Sequence, residues 1–344
     1  MQQVTMSEVA RLAEVSASTV SLYLRKPAAV AQGTGKRIAH AIEALRYVPN
    51  LMAGGLAAAS SRVVSVIVPS VRNAFFAETV ANLQEALAAH GLQMLLGHSE
   101  YSPQQEEILV RTTLSWSPAA IVLTGLEHSR ATRQALLGAH APVIEIWELG
   151  ERPIDMAVGF SHRDVGSATT RYLQKQGCRK IAFLGARMEQ DSRARQRASG
   201  YASVVAEQGA APQILDHPGP ASPEAGGLLL NRVLQQAEGV DAVICSNDLV
   251  ALGVLFECQR RGLVVPDRLS VAGFGDLPFA AQCVPPLTTI RPEGGLIGRR
   301  VADLILRHVR DGAVPQKDKI IDTGFELIER DSVARGAPLA RNIF

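Results

Sequence analysis

The sequence predicts an all-α helix-turn-helix head, joined by a hinge helix to an α/β core of two parallel-sheet lobes. Three observations predict it. Apolar positions recur at helical spacing behind capping signals in the first 45 residues, and the excess of cations is confined to that head. From Val63 onward, short β-rich runs alternate with amphipathic segments.

The first helix opens on Thr5-Met6-Ser7-Glu8, a capping box in which Thr5 accepts from the third amide and Glu8 reaches back to the cap. Val9, Leu12 and Ala13 then repeat at helical spacing. A second helix starts at Ser16, turns Val20 and Leu24 inward, and leaves Ala17, Ser18, Ser21 and Leu22 as an outward recognition surface; Pro27 follows it. Ile38, Ile42 and Leu45 give a third apolar stripe, so three short helices close one small core. Residues 1–62 hold seven Lys/Arg against three Glu, while the rest of the chain holds 28 against 30. A cationic excess confined to the head suits salt-dependent phosphate contacts and argues against a general polyanion binder. Arg25 and the hydroxyls of Ser16, Thr19, Ser21 and Thr34 are the candidate phosphate contacts. The competing reading is a small helical subdomain with an ordinary solvated face.

The segment Tyr47-Val48-Pro49-Asn50-Leu51-Met52-Ala53-Gly54-Gly55-Leu56-Ala57 resembles the hinge of the lactose/galactose repressor family (LacI/GalR), and the resemblance runs from about Thr5 to Asp331. It implies a homodimer on double-stranded DNA with a near-palindromic operator. It also implies that Asn50 caps a hinge helix, Ala53 permits close approach to the minor groove, and Leu56 is pushed between base pairs. Unstacking a step costs a few kcal/mol, which the extra contacts of bent DNA offset. Gly54 and Gly55 each cost about 1 kcal/mol of helix stability, so the hinge is expected to fold only on DNA, and a flexible linker is the alternative. One departure stands out: relatives commonly carry a longer polar or basic residue where this chain has Leu22. Leucine makes no bidentate guanine contact, although it can touch a thymine methyl.

Length and composition frame the remainder: 344 residues, 47% hydrophobic, leave room for a small head and two buried lobes. The expected boundaries are 1–48 for the head, 49–61 for the hinge, 62–331 for the core and 332–344 for a tail. No apolar run approaches the length of a membrane span, and the N-terminus lacks a signal-peptide pattern, so a cytoplasmic protein without membrane contact is expected. Cys178, Cys245, Cys258 and Cys283 show neither paired spacing nor a His partner, and the eight His are scattered, so no disulfide, metal or cofactor is expected. No GxGxxG, P-loop, GxSxG or HExxH pattern appears, which speaks against an enzyme.

Strand candidates in the core are Val63 to Val68, Met94 to Leu96, Ala120 to Thr124 and Val143 to Trp147. After Asp155 come Ile181 to Leu184, Ala242 to Cys245 and Leu269 to Ala272. This is the two-lobed architecture of periplasmic binding proteins, in which ligands sit beyond the carboxyl ends of the strands. The cleft is therefore expected to collect Ser70, Asn73, Phe75, Phe76, Trp147, Arg187, Arg193, Arg197, Asn247, Asp248 and Asp276. Phe75 and Phe76 have an alternative as core at a helix start, and Arg187, Arg193 and Arg195 an alternative as solvent-facing residues. By the family resemblance, Arg197 in Arg-x-x-Gly holds a polar effector group, the Asn247 carboxamide binds effector hydroxyls, and Asp248 caps the next helix. Asp276 matches the family's Gly-aromatic-x-Asp, with Gly275 where many relatives carry another acid, which favours an anionic effector over a neutral hexose.

Four runs resemble the gluconate-operon repressors in particular: Ser115-Trp116, Asp155 to Phe160, Leu184 to Arg187 and Phe256 to Leu263. Their resemblance implies a sugar acid such as gluconate, a ketogluconate or 6-phosphogluconate as effector. The implied mechanism is allosteric: effector between the lobes shifts them, the paired hinges lose their spacing, and DNA is released. An activator, a repressor answering to a neutral sugar or nucleobase, and a sugar-binding protein without regulation are the alternatives. The first core helix, near Ala77 to His90, and the helix near Leu249 to Arg261 are the expected dimer surface.

Overall fold

The computed structural model describes residues 4–48, 62–71, 74–236 and 239–334, apart from the Arg25 side chain. The expected hinge, with Asn50, Ala53 and Leu56, lies outside the described residues, as does Asn73. The chain divides into two compact units, Met1–Arg62 and Val63–Phe344.

Among the described residues the first unit holds three α-helices, α1 (Met6–Leu12), α2 (Ala17–Arg25) and α3 (Gln32–Leu45). The capping box forms: Thr5 N–H donates to Glu8 Oε2 at 2.7 Å and Glu8 N–H to Thr5 Oγ1 at 3.4 Å. Ser16 Oγ caps α2 by accepting from Thr19 N–H at 3.1 Å. Val9, Ala10, Ala13, Val20, Ile38, Ala41 and Tyr47 close the core. Leu12, expected inside, is exposed, because α1 ends on it and Ala10 and Ala13 take the inward positions.

The second unit has two six-stranded sheets. In the first lobe β1 (Val63–Val68), β2 (Gln93–His98), β3 (Ala120–Thr124), β4 (Val143–Ile146) and β5 (Met156–Gly159) are joined by β11 (Ile320–Asp322), in the all-parallel order β11-β5-β4-β3-β1-β2. In the second, β6 (Ile181–Ala186), β7 (Gln213–His217), β8 (Ala242–Cys245), β9 (Ser270–Phe274), β10 (Thr288–Pro292) and β12 (Phe325–Ile328) run β12-β10-β9-β8-β6-β7. Only its edge strand β12 is antiparallel, which modifies the expected pure parallel sheet. The chain crosses between lobes three times: after β5, after β10 and after β11.

Helices α4 (Ala77–Ala88), α5 (Pro103–Leu114), α6 (Arg130–Leu137) and α11 (Gly294–Asp311) serve the first lobe. Helices α7 (His162–Lys175), α8 (Ser192–Glu207), α9 (Pro223–Gln236) and α10 (Asp248–Arg261) serve the second. α7 and α8 meet backbone to backbone: a Cβ on Gly166 would stand 1.9 Å from the Arg197 carbonyl oxygen, and one on Gly200 2.0 Å from that of Arg163. This contact fixes the height of α8 above the sheet. The core also runs past its expected end at Asp331. Ser332 is buried, donates to the Val271 carbonyl at 2.6 Å and accepts from Thr288 N–H at 2.8 Å, so the tail does not begin at 332.

Candidate functional site

On the head, α2 turns Ala17, Ser18 and Leu22 to solvent, while Thr19 and Ser21 are half-buried. The Ser16 hydroxyl lies 2.7 Å from those of Ser18 and Thr19, a belt of oxygens at the N-terminus of α2. Thr34 is half-buried in the first turn of α3. Ala17, Ser18, Ser21 and Leu22 carry no amide or guanidinium, so this surface offers hydroxyl and apolar groups and no bidentate donor for a base edge. Arg25's side chain lies outside the described residues.

In the core, the strand ends of both lobes enclose a cavity of about 520 Å³, within the range of small-molecule sites. It brings together Ser70, Phe75, Phe76, Trp147, Arg187, Arg193, Arg197 and Asn247 of the expected set, and adds Glu100, Tyr101, His162, Asp191, Ser222 and Phe274. Tyr101, Trp147 and Arg187 hold φ of 61°, 66° and 55°. Such left-handed backbone in bulky residues persists where the surroundings over-determine it, commonly at ligand clamps. Phe76 meets Trp147 edge-on at 5.0 Å, and Phe75 stacks on Phe274 at 6.2 Å, making an aromatic floor. Trp147 Nε1–H donates to Thr79 Oγ1 at 3.0 Å, which locks the indole.

The arginines supply the charge. Arg197 is buried, with its guanidinium 4.0 Å over the Phe274 ring. Its Nη1 donates to His162 Nδ1 and its Nη2 to the Ser246 carbonyl, both at 2.8 Å, while its Nε has no partner. Burial brings its pKa down to about 10, so the site holds this cation at a cost that an anion would relieve. His162 Nε2–H donates to the Trp147 carbonyl at 2.8 Å; burial, then the charge of Arg197, pushes its pKa well below the usual value and keeps it neutral. Arg193, also buried, pairs with Asp191 at 3.2 Å, and both Arg187 and Arg193 lie against the Tyr101 ring. Arg195 takes another path, donating to the carbonyls of Met188 and Glu189 at 2.7 Å.

Two expectations change. Asn247, not Asp248, caps the helix: its Oδ1 accepts from Val250 N–H at 3.1 Å, which leaves its amino group for a ligand. Asp248 is buried beneath, accepting from Thr289 Oγ1 at 2.6 Å and Leu277 N–H at 2.8 Å; burial pushes its pKa up to about 6. Asp276 does not line the cavity, because both its oxygens are taken, by Arg291 and Arg330 at 2.7 Å. At Gly275, whose φ is +127°, a Cβ would stand 2.0 Å from the Phe75 ring, so an aromatic ring fills the place of the absent acid.

A second cavity of about 540 Å³ shares Tyr101 and Arg193 with the first and reaches His128. His128 is enclosed between Glu106, 2.8 Å from Nδ1, and Glu145, 3.3 Å from Nε2. Burial works against its charge, but the two carboxylates prevail and hold its pKa at about 9. A folded-state pKa raised above the unfolded one gives stability that is complete below about pH 6.5 and lost as pH rises through about 9, roughly 3 kcal/mol in all. The unfolding temperature is therefore expected to fall between pH 7 and 9.5, and His128→Gln to start lower and lack that slope. Parallel slopes in the two proteins would refute the charged triad.

Residues 5–50 match the family described as bacterial regulatory proteins, lacI family, and residues 170–333 match the periplasmic binding protein-like domain. The chain is 36% identical over 330 residues to the HTH-type transcriptional regulator GntR of Pseudomonas aeruginosa, covering 95% of each chain. It is 31% identical over 326 residues to the HTH-type transcriptional regulator IdnR of Escherichia coli, covering 94% of this chain and 97% of that one. A LacI-family regulator from Silicibacter pomeroyi shares the fold with a TM-score of 0.90 at 31% identity, over 96% of this chain and all of that one. The regulator GntR from Chromobacterium violaceum does so at 0.73 and 37%, over 79% of this chain and 99% of that one. With a helix-turn-helix head, a two-lobed core around a ligand-sized cavity, and identity running through both, the chain belongs to the lacI family and is a DNA-binding transcriptional regulator, not an enzyme.

Proposed function

We propose that this regulator is a cytoplasmic homodimer that represses genes for the use of a gluconate-type sugar acid, and that the sugar acid, bound between the core lobes, releases it from a near-palindromic operator. The observation that carries the reading is the meeting of Arg187, Arg193 and Arg197 over the aromatic floor of the first cavity. A sugar acid has matching parts: a carboxylate for a guanidinium, C–H faces for Phe75 and Trp147, and hydroxyls for Ser70, Ser222 and the Asn247 amino group. The resemblance of four core runs to the gluconate-operon repressors supports the same class.

The test is binding of the full chain to DNA from its own promoter region at fixed salt, titrated with gluconate, ketogluconates, 6-phosphogluconate and neutral sugars. Release by a sugar acid alone is expected. Tight binding that no sugar acid alters would end the effector assignment and keep the DNA role. On the head, Leu22→Arg is expected to raise affinity for operator and nonspecific DNA alike or to shift base preference toward guanine, by about 1 to 3 kcal/mol at one position. Selection from randomised operators reads this out, and an unchanged preference with unchanged affinity would remove Leu22 from the interface.

A further inference from the structure

The first two turns of α8 face two ways. Arg193 and Arg197, one turn apart, line the effector cavity, while Arg195 and Gln196 grip the first lobe: Arg195 Nη2 meets Glu127 at 2.6 Å, and Gln196 Nε2 donates to Glu148 Oε1. The Arg195–Glu127 pair is largely exposed and contributes little. Glu148 is different in kind. It follows β4 by two residues, is 3% exposed, and takes the Leu126 N–H on its other oxygen; burial raises its pKa. Its carboxylate also attracts Arg193. Gly125, with φ of +90°, makes room for both: a Cβ there would stand 2.9 Å from Arg193 Nη1 and 3.3 Å from Glu148 Oε2. Arg193 therefore belongs to the second lobe by sequence and lies against Tyr101 and Gly125 of the first, within reach of the Glu148 charge, in the wall between the two cavities.

We propose that Glu148 is an internal competitor for the effector's negative charge: it draws Arg193 and Gln196 of the second lobe onto the first, and an anion in the cavity takes Arg193 from it. This rests on the sugar-acid reading of the cavity. Glu148 does not line that cavity, so it acts as a positioning residue. An anion reaching Arg193 meets a guanidinium already held by Asp191 at 3.2 Å and attracted by Glu148, and must displace part of that attraction. Occupancy of the site and the strength of the seam between the lobes are thereby linked, because one guanidinium serves both.

Isothermal titration of the full chain with gluconate at fixed salt, in wild type, Glu148→Gln, Arg193→Gln and the double variant, tests this. Glu148→Gln is expected to bind gluconate about tenfold more tightly, about 1.4 kcal/mol. In the Arg193→Gln background the same change is expected to leave affinity within about twofold. No gain in Glu148→Gln, or an equal gain without Arg193, overturns the proposal. If wild type binds no gluconate, the sugar-acid reading fails by itself, and thermal unfolding of the same four proteins decides the seam. Non-additive destabilisation supports the Arg193–Glu148 coupling, and additive destabilisation overturns it.

Discussion

Gly166→Ala is expected to lower the unfolding free energy by about 3 kcal/mol or more and to weaken effector binding with it. In an open helical position alanine would gain about 1 kcal/mol over glycine, so the sign alone is diagnostic. Here the new Cβ would stand 1.9 Å from the Arg197 carbonyl oxygen, and a backbone atom cannot swing aside as a side chain does. Relief requires α8 to lift from α7, which carries the Arg197 guanidinium away from His162 and Ser246. Urea denaturation gives the stability and calorimetry the affinity. A variant as stable as wild type would mean that the two helices are not in backbone contact.

Arg197→Met is expected to reduce sugar-acid affinity by about a hundredfold or more, on the scale of about 1.5 to 3 kcal/mol for each hydrogen bond to a charged group. The ligand-free protein is expected to stay folded. Relief of a cation whose burial brings its pKa down to about 10 offsets part of the cost of leaving His162 and the Ser246 carbonyl without their donor. Gluconate titration beside a thermal melt separates the two effects. Unchanged affinity in a folded variant would place the effector's charged end on Arg187 or Arg193 instead.

Elements with a run of β-branched or long apolar residues were legible in the sequence, as β1, β3 and β8 show by matching their expected ranges. β5 was not, because Met156–Gly159 holds a single β-branched residue and ends in glycine, and β11, with three residues, is shorter than any periodicity can register. The site follows the same division. Phe75, Phe76 and Trp147 stand near the ends of recognised strands. His162 escaped because it follows β5, and Tyr101 because β2 extends to His98, past the expected Leu96. Arg193 was legible as well: it stands four residues before Arg197, hence on the same helical face, while Arg195 turns away. Asp276 misled because a motif records which residue is present, not which neighbours claim its oxygens, and Arg291 and Arg330 are far from it in sequence.

The three crossings between lobes bear on how the chain is made. A ribosome that has reached Gly312 has delivered every described α-helix and ten of the twelve described strands, yet neither sheet is whole. The missing strands, β11 and β12, are the outer edges of the two lobes and occupy residues 320–328. Vectorial synthesis therefore leaves both lobes unfinished until residues 320–328 have been made. A stop codon just ahead of Ile320 would not yield a shortened regulator but a chain with β5 and β10 bared for pairing with other chains, material for aggregation or proteolysis.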